Sequence, residues 1–153
     1  LYNLIGPDKV DFSITGRIFY ESYIFDSMKI DIPKNKGKNM IPRNELEERI
    51  QKLDIILFFY SKTSYKLIAS GAIMDAINMR KPILAIKNDY FEYIFRKFGR
   101  FGFLVNSVEE MATILKTIRK EDLLFDFDSI QKQMNISKIT EQLKRNLVDI
   151  NLF

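Results

Sequence analysis

Two short apolar runs, Ile55 to Tyr60 and Ile83 to Ile86, flank a stretch in which Ile73, Ala76 and Ile77 repeat at helical spacing. Such alternation favours a strand, a crossover helix and a second parallel strand, because strands covered on both faces read as unbroken apolar runs. The spacing predicts a helix that starts near Ser70 and is stopped by Pro82, whose ring cannot continue it.

The same alternation extends in both directions. Tyr2 to Ile5 before Gly6-Pro7, and Val10 to Ile14 before Thr15-Gly16, read as strands that end in turns. The segment from Lys29 to Met40, with Pro33 and the polar run Lys34 to Asn39, reads as a weak strand and a surface loop. Asn44 and Glu47 have the spacing of a capping box ahead of Leu46, Ile50 and Leu53, so a helix is expected over residues 43 to 53. That helix leads into Asp54 to Tyr60, expected to be a central strand buried on both faces. Phe101 to Val105 reads as a last short strand, and Ser107 with Glu110 as the capping box of a helix carrying Met111, Ile114, Leu115 and Ile118. From about Asp128 onward, Ile139, Leu143, Leu147 and Ile150 keep helical spacing, in a segment that packs either here or on a further domain.

These elements predict one α/β domain over residues 1–153, a three-layer α/β/α Rossmann-like sandwich with a mostly parallel sheet. At that length folding buries roughly 68–70% of the surface of the unfolded chain, enough for a real core. The start at Leu1, inside an expected strand and without an initiator Met, reads as a piece of a longer chain.

Composition removes several chemistries. The chain has no cysteine and no histidine, so disulfides, thiolate or imidazole metal sites, a cysteine nucleophile and a Ser-His-Asp triad are all excluded within it. Proton transfers made by this chain alone fall to carboxylates, Lys or Tyr. The apolar run ending at Tyr60 is far short of the roughly 20 residues of a spanning helix, and no signal peptide opens the sequence, so a cytoplasmic protein is expected. The net charge of +4 suits a phosphate-bearing partner and equally an ordinary solvated surface.

In open parallel sheets, ligands gather beyond the carboxyl ends of the strands. The loops expected there are Gly6-Pro7, Thr15-Gly16-Arg17, Ser61 to Ser70 and Lys87 to Asp89. The third is the richest, with Tyr65, Lys66, Ser70 and Gly71 just before a helix. Unpaired amides and the helix dipole attract a phosphate there, Gly71 allows close backbone approach, and Lys66 adds a mobile charge. The same residues also read as a plain Ser N-cap beside a packing tyrosine. Asp75, one turn into the helix, suits either ribose hydroxyls or a favourable first-turn charge. The interleaved basic and aromatic residues from Phe95 to Phe103 resemble an RNA-stacking surface, but their spacing does not match that of an RNA-recognition strand. They are read as core and loop anchors, and no nucleic-acid partner is expected.

The stretch from Leu53 to Pro82, with Ser70-Gly71, Asp75-Ala76 and Lys81-Pro82-Ile83-Leu84, resembles the C-terminal half of GT-B-fold glycosyltransferases of the group 1 kind. In that family a helix bearing a Glu-Ala pair is followed by a Gly-x-Pro turn into the next strand. Phe101-Gly102-Phe103-Leu104-Val105 and Ser107-Val108-Glu109-Glu110-Met111 are similar to the family's ending, so the resemblance covers about residues 1–120. It implies a donor-binding domain: the diphosphate of a nucleotide sugar at Arg17, Tyr65, Lys66, Ser70, Gly71 and Ala72, the ribose at Asp75, and the base beside a loop with Ile41 and Arg43. The sugar would pass to an acceptor hydroxyl in surface polysaccharide assembly, without metal or cofactor.

The acceptor site and any catalytic base would belong to a separate N-terminal domain, through which association with the inner face of a membrane would occur. The isolated domain should therefore show no transferase activity. Leu67 stands eight residues before Asp75, where retaining members of the family carry a second acidic residue, and Arg80 occupies the turn position of the family glycine. Stereochemistry is therefore left unassigned. A nucleoside deoxyribosyltransferase-like enzyme, which needs a nucleophilic carboxylate on the same helix, and a non-catalytic α/β interaction domain remain alternatives.

Overall fold

Every strand pairing in the computed structural model is parallel. It describes residues 1–16, 25, 27–33, 39–61, 70–135, 137–138, 140–141 and 144–145. Strand β1 (Phe12–Ser13) pairs with β2 (Ile30–Asp31), while β4 (Ile83–Ile86) lies between β3 (Ile56–Phe58) and β5 (Gly102–Val105). Helices α1 (Tyr2–Ile5), α2 (Arg43–Gln51), α3 (Gly71–Asn78), α4 (Asp89–Phe98), α5 (Val108–Thr117) and α6 (Phe127–Gln133), with a short 3-10 helix at Lys120–Leu123, complete the described elements.

The expected three layers follow from the two faces of β4. Ile83 and Ala85 join a core with Ile73, Ala76 and Ile77 of α3, Phe91 and Ile94 of α4, and Phe127 and Ile130 of α6. Leu84 points the other way, into a core made with Ile5 of α1 and Met111, Ala112 and Leu115 of α5. Ile73, Ile77, Ile83 and Leu84 are fully buried, each worth about 1.5–3 kcal/mol relative to exposure. Gly102 lets β5 approach β4: a Cβ placed there would lie 2.0 Å from the Ile83 carbonyl oxygen.

Helix ends show how local chemistry fixes the crossovers. Helix α3 closes with Lys81 N–H donating to the Ala76 carbonyl at 2.8 Å and Arg80 N–H to the Ile77 carbonyl at 3.1 Å. This paired pattern requires a left-handed residue, and Arg80 supplies it at φ +56°. Gln131 of α6 caps the same end, its amide donating to the Ile77 carbonyl at 2.9 Å. The ammonium of Lys81 in turn donates to the carbonyls of Gln51 and Leu53, each at 2.7 Å, and so covers the end of α2.

Several expectations are corrected. Tyr2 to Ile5 is a short helix packed on α5, not a strand, so Gly6-Pro7 follows a helix and precedes β1 instead of lying at a strand's carboxyl end. Four apolar residues do not distinguish helix from strand; the α5 face that Ile5 covers decides. The Asp54–Tyr60 run is not a central strand: only Ile56–Phe58 is extended, it forms the edge of the three-stranded sheet, and Phe59 is 52% exposed. Asn44 does not cap α2, which starts after Pro42, and Glu47 instead accepts from Arg43 Nε at 2.6 Å. At α5 the Ser107 hydroxyl does accept from the Glu110 amide at 3.2 Å, but the Glu110 carboxylate takes the Asn106 amide at 2.8 Å instead of that of Ser107.

Helix α4 was not anticipated. Asn88 caps it by accepting from the Phe91 amide at 2.9 Å, with Asp89 and Glu92 in its first turn and Arg96 and Lys97 in its last, each sign matched to the dipole. The expected helical positions Ile139, Leu143, Leu147 and Ile150 lie outside the described residues. Among the described residues no helix is long and apolar enough to cross a membrane.

Candidate site at the carboxyl edge of the sheet

Because β3, β4 and β5 run parallel, the residues after them share one edge, where α3 begins after β3, and an ion pair brings the start of α2 to α3. Ser70 is the joint of this edge. It is only 2% exposed; its amide donates to the Tyr90 hydroxyl at 3.0 Å, and its own hydroxyl lies 3.1 Å from that of Tyr60. The Tyr60 ring stacks on Phe91 at 5.6 Å between centroids. Ser70 therefore binds the segment after β3, α3 and α4 together, and its side chain makes no capping bond to α3.

The next two residues differ. Gly71 and Ala72 are exposed, and first-turn amides have no intrahelical acceptor. A Cβ built at Gly71 meets nothing within 4 Å among the described residues, so a ligand can approach the backbone there. Helix dipole and amides together make such a turn attractive to an anion.

Asp75 sits one turn further in, and Arg43 at the start of α2 reaches it: Nη1 lies 2.8 Å from the carboxylate. The Arg43 guanidinium also donates to Glu47, and these two hydrogen bonds, that to Glu47 first, raise its pKa above the already high ordinary value. Arg43 thus stays a cation under all conditions of interest. The Asp75 side chain is 18% exposed and the Arg43 side chain 58%, so the pair faces solvent through its basic member. Ile41, half-buried, precedes Arg43 by two residues.

Of the residues singled out from sequence, Ser70, Gly71, Ala72, Arg43 and Ile41 occupy the first turns of α2 and α3 and the residues just before them, and Asp75 lies in the second turn of α3. Arg17, Tyr65 and Lys66 lie outside the described residues.

Three further contributions, made by four residues, were given no role in the sequence reading. Tyr60 and Tyr90 hold Ser70, and Asn88 links strand ends by donating to the Ser61 carbonyl at 3.3 Å. An Asn followed by acidic residues ahead of an apolar stripe was the cue for the last of these. Arg49 of α2 is the third. One of its terminal nitrogens contacts the Ser13 hydroxyl at 3.0 Å, the Ile14 carbonyl at 3.0 Å and the Asp31 carboxylate at 2.8 Å, tying down the ends of β1 and β2.

A cavity of about 840 Å³ separates the two sheets, lined on one side by Phe12 and Ile14 and on the other by Ile55, Leu57 and Phe59. β1 and β3 are therefore neighbours across it. β1 leads outward to β2 on one side and β3 to β4 and β5 on the other, so the gap marks the point where strand order reverses, the usual ligand position in such sheets. Among the described residues no group of three or more carboxylates is placed to hold a metal ion. Comparison of the chain with family models, with curated proteins and with solved structures finds no match.

Proposed function

We propose that this domain binds the nucleotide-sugar donor of a glycosyltransferase that transfers a sugar to an acceptor hydroxyl in surface polysaccharide assembly, with a second domain supplying the acceptor site and any catalytic base. One observation carries the reading: the exposed first turn of α3, with its backbone open to approach at Gly71, lies one helical turn from an Arg43–Asp75 pair on the carboxyl edge of a parallel sheet. A diphosphate needs converging amide donors and positive charge, and a ribose needs a hydrogen-bond acceptor next to it.

In this mechanism the domain stabilises charge. As the glycosidic bond to the diphosphate breaks, negative charge grows on the leaving phosphate oxygen. Donors fixed in place before the reaction stabilise that charge without reorganising. The amides of Gly71 and Ala72 would supply dipoles, with Lys66 and Arg17 adding positive charge. Asp75, oriented by Arg43, would accept from the ribose hydroxyls.

Calorimetric titration with nucleoside diphosphates and nucleotide sugars, with nucleoside monophosphates as controls, tests this. The expected result is binding that requires the diphosphate and is weakened in Lys66→Ala and in Gly71→Val. Unchanged affinity in both variants removes the site assignment, and absence of binding across the panel favours a non-catalytic interaction domain.

A further inference from the structure

Between α4 and the outer strand β5, a second hollow of about 600 Å³ is lined by Lys87, which follows β4, and by Glu92, Phe95, Arg96, Arg100 and Leu104. Its charge is not self-cancelling. Glu92 is the one acidic group of the lining, and the Lys87 ammonium lies 3.0 Å from its carboxylate. Arg96 and Arg100, four residues apart, remain: no ion pair engages either of them among the described residues, and no acidic residue occurs between Glu92 and Glu109.

Arg100 is also held in position. Its Nε donates to the Gly102 carbonyl at 3.0 Å and its guanidinium lies 5.2 Å from the Phe103 ring centroid. The helix dipole accounts for basic residues in the last turn of α4, but Arg100 lies beyond Gly99, outside the helix. A planar guanidinium fixed at one nitrogen, with a second arginine lining the same hollow, matches the oxygens of a phosphate group better than a mobile ammonium does.

We propose that Arg96 and Arg100 form a binding site for phosphate groups, separate from the α3 site and independent of its assignment. The phosphate belongs to a soluble phosphorylated molecule or to the headgroup of an anionic lipid. Two assays on the full chain separate these sources: calorimetric titration with inorganic pyrophosphate, and co-sedimentation with vesicles of phosphatidylcholine with or without phosphatidic acid. Arg96→Gln/Arg100→Gln is expected to weaken at least one of them roughly tenfold or more, while Lys116→Gln/Lys120→Gln, with the same change in net charge, leaves it nearly unaltered.

Loss confined to pyrophosphate identifies a soluble ligand, loss confined to phosphatidic acid identifies a lipid, and loss of both identifies the phosphate group itself as what is recognised. Equal weakening by the two double variants overturns the site in favour of general charge attraction. Binding that is absent, or that is abolished by Gly71→Val and untouched by the arginine changes, overturns it as well. All four residues are exposed, and circular dichroism checks that the variants stay folded.

Discussion

Arg43, at the first position of α2, and Asp75, in the second turn of α3, meet at 2.8 Å although 32 residues separate them (75 − 43). Their contact brings two successive crossover helices together at the same end of the sheet. The Asp75 side chain is only 18% exposed, but its partner is 58% exposed, and solvent screening through Arg43 keeps the contribution of the pair to folding small. Asp75→Asn should therefore leave the thermal midpoint almost unchanged while lowering affinity for nucleoside diphosphates, and Arg43→Gln should do the same. Parallel melting and titration curves check this; a large fall in melting temperature with unaltered binding would assign the pair to structure alone.

Gly102 admits no side chain. The Cβ of Gly102→Ala would press into the backbone of Ile83, with the carbonyl oxygen at 2.0 Å and the amide nitrogen at 2.7 Å, and neither can move without breaking the β4–β5 ladder. Overpacking against main chain should cost about 3 kcal/mol or more. For a domain of this size that lowers the melting temperature by roughly 6–12 °C, measurable by calorimetry.

Arg80 holds a left-handed conformation at φ +56° that glycine adopts without strain. Arg80→Gly relieves about 1 kcal/mol of steric cost. It forfeits the ion pair with Asp128, whose side chains are 56% and 64% exposed, a loss at the low end of about 0–1 kcal/mol. A net rise in stability is expected in urea titration, with Asp128→Asn reporting the ion pair alone.

Two carboxyls titrate below their ordinary values. Glu109 is lowered chiefly by its hydrogen bond with Ser107, and Asp122 chiefly by the Arg119 amide, which donates to it at 3.0 Å. A folded-state pKa below the unfolded one adds stability at pH above the unfolded value, and that stability is lost as pH falls through the folded value. The chain should therefore lose stability in acid, below the usual carboxylate range. The loss should be smaller in Ser107→Ala and Asp122→Asn, as seen in melting temperatures taken against pH.

Where apolar period and flanking breakers agreed, sequence and structure coincide. Ile83–Ile86 is a strand with the expected limits, and the helix expected over 43 to 53 spans Arg43–Gln51. Readings failed where a tertiary partner decides. Ile5 is helical because α5 offers it a face, and the apolar run at Ile55 became an edge because its neighbour across the cavity is not hydrogen-bonded to it. Aromatic residues hid α4, since Phe91, Tyr93 and Phe95 also suit a strand, and only the Asn88 cap marks the helix start. At the candidate site, Ser70 was legible as a helix start, whereas Asp75 lies in the second turn of α3 and is not the first-turn charge its position in the sequence suggested. The hydroxyls of Tyr60 and Tyr90 on Ser70 were not, because they arrive from β3 and α4 through long-range packing.

The Lys81 ammonium bonded to the Gln51 and Leu53 carbonyls has a consequence for cooperativity. The last turn of α2 cannot open without releasing the side chain that follows α3, so disturbance in either crossover is felt by the other. Amide exchange at the end of α2 should therefore open in the same step as exchange at the α3–β4 turn, and the two should behave as a single unit of local unfolding.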